Sequence, residues 1–185
     1  SNLGNTFKEL GRLDEAEASY NQAIILKHDF AEAHSNLGVT LQEMGRFDEA
    51  EVSHTQAIAL KQDYAEAYSN LGVTLHELGR LNEAEEIYRQ AIVLKPEHAE
   101  FRYNLGNTLQ ELGRLIEAEE NYRQAIDAKP EYAEAHYNLA VLLQELDRLK
   151  EAVENYTKVI ALNPKFSEAH SNLGVTLQKL GRLDE

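Results

Sequence analysis

An all-α solenoid of stacked antiparallel helix pairs is predicted by three features of the sequence. A 34-residue block recurs, with copies beginning at Ser1, Ser35, Ser69, Tyr103, Tyr137 and Ser171. Apolar residues inside each block fall at helical spacing, and a glycine or aspartate stands at the eleventh position of every block. Repeats of this length cannot bury an apolar face alone, so neighbours must stack and share one elongated core. The predicted organisation is a single array over 1–185. It has a partial copy at 1–30, full copies at 31–64, 65–98, 99–132 and 133–166, and a partial copy at 167–185.

The copy from Ala31 to Tyr64 shows why each element forms. Over Ala31 to Met44, the residues Leu37, Leu41 and Met44 lie four and three apart, which is one face of an amphipathic helix. Gly45 ends that helix by supplying a left-handed C-cap, as do Gly11, Gly79, Gly113 and Gly181, while Asp147 takes the place in the fifth copy. After Arg46 and Phe47, Asp48 is placed to cap a second helix, with Glu51 completing a capping box; Asp14 and Glu17 repeat the pattern. The second helix turns Ala50, His54, Ala57, Ile58 and Leu60 inward, and Pro96, Pro130 or Pro164 closes it in later copies. Gly38, Ala50 and Ala57 are small enough to bring the two backbones close.

Bulk composition excludes several functions. A formal charge of −14 opposes nucleic acid, whose binding requires Lys and Arg to displace counterions, and it repels anionic partners. No apolar run approaches the roughly 18 residues needed to cross a bilayer, so no membrane association is expected. The first residues are already a repeat, not a leader. The absence of cysteine fits a reducing compartment, which favours the cytoplasm.

Leu37, Gly38, Leu41, Ala50, Ala57 and a late proline, with an aromatic-type position filled by Tyr20, His54, Tyr88, Tyr122 and Tyr156, resemble the tetratricopeptide repeat family. The resemblance spans the chain. It departs where His34, Tyr68, Arg102, His136 and His170 replace the usual early tryptophan. It departs again at Ala140, at Val159, and at His28 and Gln62 in the proline position, which makes the fifth copy the least regular.

The resemblance implies a right-handed superhelix whose first helices line the concave wall. Glu32, Ser35, Asn36, Val39, Gln42 and Glu43 then belong to that wall. Asn2, Asn36, Asn70, Asn104, Asn138 and Asn172 occur once per copy, although asparagine costs ~0.5 kcal/mol against alanine inside a helix. A row of carboxamides, each both donor and acceptor, matches the peptide groups of an extended chain. The same row also fits a structural tie between helices, and the sequence leaves both readings open.

Beside the amides, Glu9, Glu43, Glu77, Glu111 and Glu145 lie near helix ends, and Glu32, Glu66, Glu100, Glu134 and Glu168 near helix starts. Their field favours a neutral or basic ligand. It opposes the lysine- and arginine-rich clamp with which some family members hold an acidic C-terminus. Tyr103 and Tyr137 replace serine on the wall in two adjacent copies, and Asn5 and Asn107 replace valine, differences that fit either the shaping of side-chain pockets or drift among copies.

The expected function is a scaffold for an extended, neutral-to-basic peptide segment, with Asn2, Asn36, Asn70, Asn104, Asn138, Asn172, Glu43, Glu77, Glu111, Tyr103 and Tyr137 as its binding residues. No catalytic constellation, cofactor motif or metal cluster is recognisable. His34, His136 and His170 substitute for one another a full repeat or more apart, and adjacent glutamates on a helix point apart. One alternative is a substrate-recruiting region of a larger enzyme, since the array resembles that of the O-linked N-acetylglucosamine transferases and the sixth copy stops at Glu185. Another is end-to-end self-assembly through Leu173, Leu177 and Leu180.

Overall fold

The computed structural model describes residues 2–181, and the end of the sixth copy beyond them lies outside the described residues. Among these residues there are eleven α-helices and no strand. The chain divides into two compact units, Ser1–Pro96 and Glu97–Glu185. The first unit holds α1 (Asn2–Glu9), α2 (Leu13–Leu26), α3 (Ala31–Glu43), α4 (Phe47–Leu60), α5 (Ala65–Glu77) and α6 (Leu81–Leu94). The second holds α7 (Ala99–Glu111), α8 (Leu115–Ala128), α9 (Ala133–Glu145), α10 (Leu149–Leu162) and α11 (Ser167–Lys179).

In each unit every helix packs on its sequence neighbours. First helices of successive hairpins also meet, α3 with α5 and α9 with α11. The first helices from α3 onward are 13 residues long and the second helices 14. The fifth copy, expected to be the least regular, keeps both lengths.

The glycine turns behave as the sequence predicts. Gly11, Gly45, Gly79, Gly113 and Gly181 have φ between 70° and 74°, and Asp147 adopts φ 58°. At Gly45 the amide of Arg46 donates to Leu41 O (2.9 Å) and that of Gly45 to Gln42 O (2.9 Å). This is the double bond of a Schellman cap.

The helix starts differ from expectation. The second helices begin two residues earlier, so Arg12, Arg46, Arg80, Arg114 and Arg148 hold the N-cap position and no side chain caps the helix. Asp48 and Asp14 therefore sit inside the first turn, where the helix dipole favours them, and the capping boxes with Glu51 and Glu17 do not form. The arginine takes over instead. Arg46 grips Glu49 with Nε and Nη2 (both 2.6 Å) and reaches Glu17 of the preceding hairpin with Nη1 (2.7 Å). Arg80 bridges Glu83 and Glu51 in the same way, and Arg148 bridges Glu151 and Glu119. Pairing with Arg46 holds the Glu49 carboxyl below its usual range. Such half-exposed pairs contribute little stability each, and their repetition fixes how one hairpin sits on the next.

The core is built from alanines facing aromatic rings. Ala16, Ala50, Ala57, Ala84, Ala91, Ala118, Ala125 and Ala152 are fully buried, as are Tyr20, Tyr122, Tyr156 and His54. His54 occupies the tyrosine position with both ring nitrogens sealed from solvent and without a hydrogen bond. Burial pushes its pKa down to about 4, and burial also lowers that of His34. Because the unfolded chain takes up this proton near pH 6.5, His54 supports folding fully above that value and withdraws support as pH falls toward 4. His54→Phe should remove on the order of 3 kcal/mol of stability loss between pH 6.5 and 4, measured by urea unfolding of both proteins at each pH. An unchanged pH profile would contradict the buried neutral state.

Candidate functional site

The asparagines lie on the first helices, away from the buried leucines, and from Asn36 onward each is half-buried. Asn2, at the start of α1, is exposed, and its carbonyl accepts from Thr6. The remaining five divide into two kinds. Asn36 Nδ2 donates to Asn5 Oδ1 of the preceding hairpin (3.3 Å). Asn138 Nδ2 donates to Asn107 Oδ1 (2.8 Å) and to the Tyr103 hydroxyl (3.2 Å), and Asn172 Nδ2 donates to the Tyr137 hydroxyl (3.0 Å). Asn70 and Asn104, by contrast, have no side-chain partner among the described residues; their carbonyls serve Thr74 and Thr108.

The distinction follows from the residue one turn along the preceding copy. Where that residue is Asn5 or Asn107, its carboxamide oxygen accepts both the next asparagine and the hydroxyl of the core tyrosine, Tyr20 (2.6 Å) or Tyr122 (2.8 Å). Val39 stands at this position before Asn70 and offers no acceptor. The tyrosines form a second acceptor set. Tyr103 packs beside Tyr122 and Tyr132, with ring centroids 6.1 and 5.0 Å away, and Tyr137 packs beside Tyr156 and Phe166 at 6.0 and 4.9 Å. Both replace the buried Ser35 and Ser69.

Glutamines tie the same face, a role the sequence reading missed. Gln42 Nε2 donates to Asn70 O (3.0 Å) and Thr74 Oγ1 (2.8 Å), and Gln144 Oε1 lies 2.9 Å from Thr176 Oγ1. A threonine one turn after Asn36, Asn70, Asn104 and Asn172, buried in each case, was the available signal. Charge on this face is acidic. Glu43, Glu77, Glu111 and Glu145 are exposed, with Glu43 reaching Lys8 at 3.5 Å. Burial first, and then the carboxylates of Glu43 and Glu9, raise the Tyr20 pKa. Burial raises that of Tyr156 to about 12. Both phenols are therefore neutral donors or acceptors near pH 7.

Histidines do not gather. His136 bonds to Asn155 Oδ1 (2.9 Å) and Pro130 O (3.1 Å), and His170 to Pro164 O (3.0 Å). Among the described residues no group of three possible metal ligands occurs. Cavities of about 390 and 330 Å³ lie beside Asp147 to Glu151 with Leu180, and beside Glu97 to Glu100 with Tyr132; neither contains an asparagine of the row. Of the leucines named at the last helix, Leu177 is buried, while Leu173 and Leu180 are half-buried.

Family models for the tetratricopeptide repeat match residues 29–97 and 63–131, 133–166 and 155–185, and a model described as TPR repeat matches 4–45. The chain belongs to the tetratricopeptide repeat family. No curated protein matches it. Solved structures similar to it include MamA, at 24% identity and TM-score 0.79, over 90% of this chain and 97% of that one. They also include a thermophilic tetratricopeptide protein of Thermus thermophilus, at 24% and 0.77, over 96% of both chains. A third is YrrB, at 24% and 0.73, over 92% of this chain and 88% of that one, described as a tetratricopeptide protein with an unusual peptide-binding site. The likeness is one of fold, an all-helical solenoid of repeats.

The two kinds of asparagine should separate in stability. Asn107→Val, which installs the residue found at 39, 73, 141 and 175, removes the acceptor shared by Tyr122 and Asn138 and should cost about 1 kcal/mol in urea unfolding. Asn70→Ala should leave stability unchanged or raise it by ~0.5 kcal/mol. Equal losses at both sites would mean that Asn70 is also a structural tie.

Proposed function

We propose that this tetratricopeptide repeat chain is a protein-interaction scaffold that binds an extended, neutral-to-basic peptide segment along the asparagine-bearing face of its first helices. The supporting observation is Asn70. This helix-interior carboxamide is half-exposed, has no partner among the described residues, and stands where alanine would favour the helix. Asn104 in the second unit is in the same condition. Each offers two N–H donors and an acceptor oxygen to the main chain of a ligand, and such bonding is indifferent to ligand side chains.

Exposed Glu43, Glu77 and Glu111 give the face its preference for neutral or basic segments, and the net charge of −14 steers acidic ones away. The peptide-binding site of YrrB, a protein of the same fold, is in keeping with this reading. Among the described residues no helix is long and apolar enough to cross a membrane.

The test uses a peptide selected against the wild-type chain from a library of neutral-to-basic sequences. Asn70→Ala with Asn104→Ala should weaken its binding about tenfold by fluorescence anisotropy while the unfolding midpoint holds or rises. Undiminished affinity would remove the free asparagines from the binding surface.

A further inference from the structure

In the second unit the hydrogen bonds between hairpins orient the wall for a ligand. Asn138 and Tyr103 form a couple across one hairpin boundary, and Asn172 and Tyr137 repeat it across the next. In each couple the asparagine amide donates to the phenol oxygen, which fixes both groups and consumes one donor and one acceptor. Two groups are left over in both. Among the described residues the phenol O–H has no acceptor, and the asparagine Oδ1 has no donor. Neither Oδ1 is sealed, since the buried unpartnered side-chain atoms among the described residues are all histidine nitrogens, and both tyrosines keep part of their surface in solvent.

We infer that each Tyr–Asn couple is a two-point reader of one residue's main chain in an extended peptide. The phenol O–H donates to the residue's carbonyl, and Oδ1 accepts its N–H. In an extended chain the N–H and C=O of one residue project to the same edge, as they do when a strand pairs with a neighbour. The couple offers the complementary donor and acceptor side by side.

The rings cannot swing away. Tyr103 is wedged beside Tyr122 and Tyr132, and Tyr137 beside Tyr156 and Phe166, so the hydroxyls are held in place before a ligand arrives. Exposed Glu111 and Glu145 on the same helices select a neutral or basic occupant. The couples thus explain why tyrosine stands at 103 and 137 where serine stands at 35, 69 and 171. A residue read in this way cannot be proline, which lacks the N–H.

This inference rests on the peptide-binding reading of the first-helix face, and its test separates the two. The probe is the library-selected peptide and its N-methylated derivatives, each blocking one main-chain N–H. Tyr103→Phe with Tyr137→Phe keeps the rings and removes the hydroxyls. Tyr103→Ser with Tyr137→Ser is a second variant that the other copies show to be compatible with the fold, and thermal unfolding checks both.

For wild type, N-methylation at two positions of the peptide should weaken binding at least tenfold. Either variant should bind the unmodified peptide about tenfold more weakly, and those two methylations should cost less than in wild type, because the asparagine Oδ1 remains but the phenol no longer orients its carboxamide. Binding by the variants within twofold of wild type, while Asn70→Ala still weakens it, would overturn the couples and leave the carboxamide reading standing. Indifference of binding to all these substitutions, or failure of the wild-type chain to select any peptide, would overturn both.

Discussion

Everything in these hairpins depends on how closely a first helix approaches the aromatic ring of its second helix. A Cβ added at Gly4 would lie 2.7 Å from Tyr20, at Gly38 2.5 Å from His54, at Gly72 2.6 Å from Tyr88 and at Gly106 2.7 Å from Tyr122. Real side chains do not approach so closely, so glycine is what permits the ring to be clamped between helices. The fifth copy meets the constraint differently, with Ala140 and Tyr156 both fully buried. That one methyl group is therefore accommodated there without loss of helix length.

With that contact made, the rest of each first helix is assigned. In α3, α5 and α7 the leucines one residue before and three residues after the glycine are buried, and the asparagine two residues before it is carried to the opposite side of the helix. Neighbouring hairpins then fix one another by polar ties at both margins. Arg46, Arg80 and Arg148 bridge carboxylates of two hairpins, while Gln42 and Gln144 link one first helix to the next. In each unit the asparagines emerge between these ties, and they are of two kinds. Asn36, Asn138 and Asn172 lend N–H groups to the preceding hairpin, and Asn70 and Asn104 keep theirs. Each unit thus holds both tied carboxamides and one without a partner among the described residues, and the neighbouring residue decides which occurs.

Much of this was legible in the sequence because the interactions concerned are local. Helix periodicity, the left-handed caps at the glycines and at Asp147, and the small residues of the close contact all follow from residues within one copy. The helix starts were misread because Asp48 and Asp14 suit a cap chemically, while the chain enters the helix two residues sooner. That places an arginine at the boundary, and its long side chain finds Glu49 and Glu17. Site chemistry was harder to read. The partners of Asn138 and Asn172 lie 31 to 35 residues away, and a phenol or an amide becomes an acceptor there only once the hairpins have stacked. The difference between valine and asparagine at 39 and 107 was visible, but its effect on the following copy was not.

The central claim is that the surface left free by hairpin packing meets the backbone of another polypeptide. Hydrogen exchange measured on the amides of a bound peptide tests this most directly. The account predicts that amides along a continuous extended stretch are protected, at alternate residues, and that the pattern persists when the peptide's side chains are exchanged for others of neutral or basic character. Protection confined to one or two anchor side chains and shifting with their identity, or no protection at all, would contradict it.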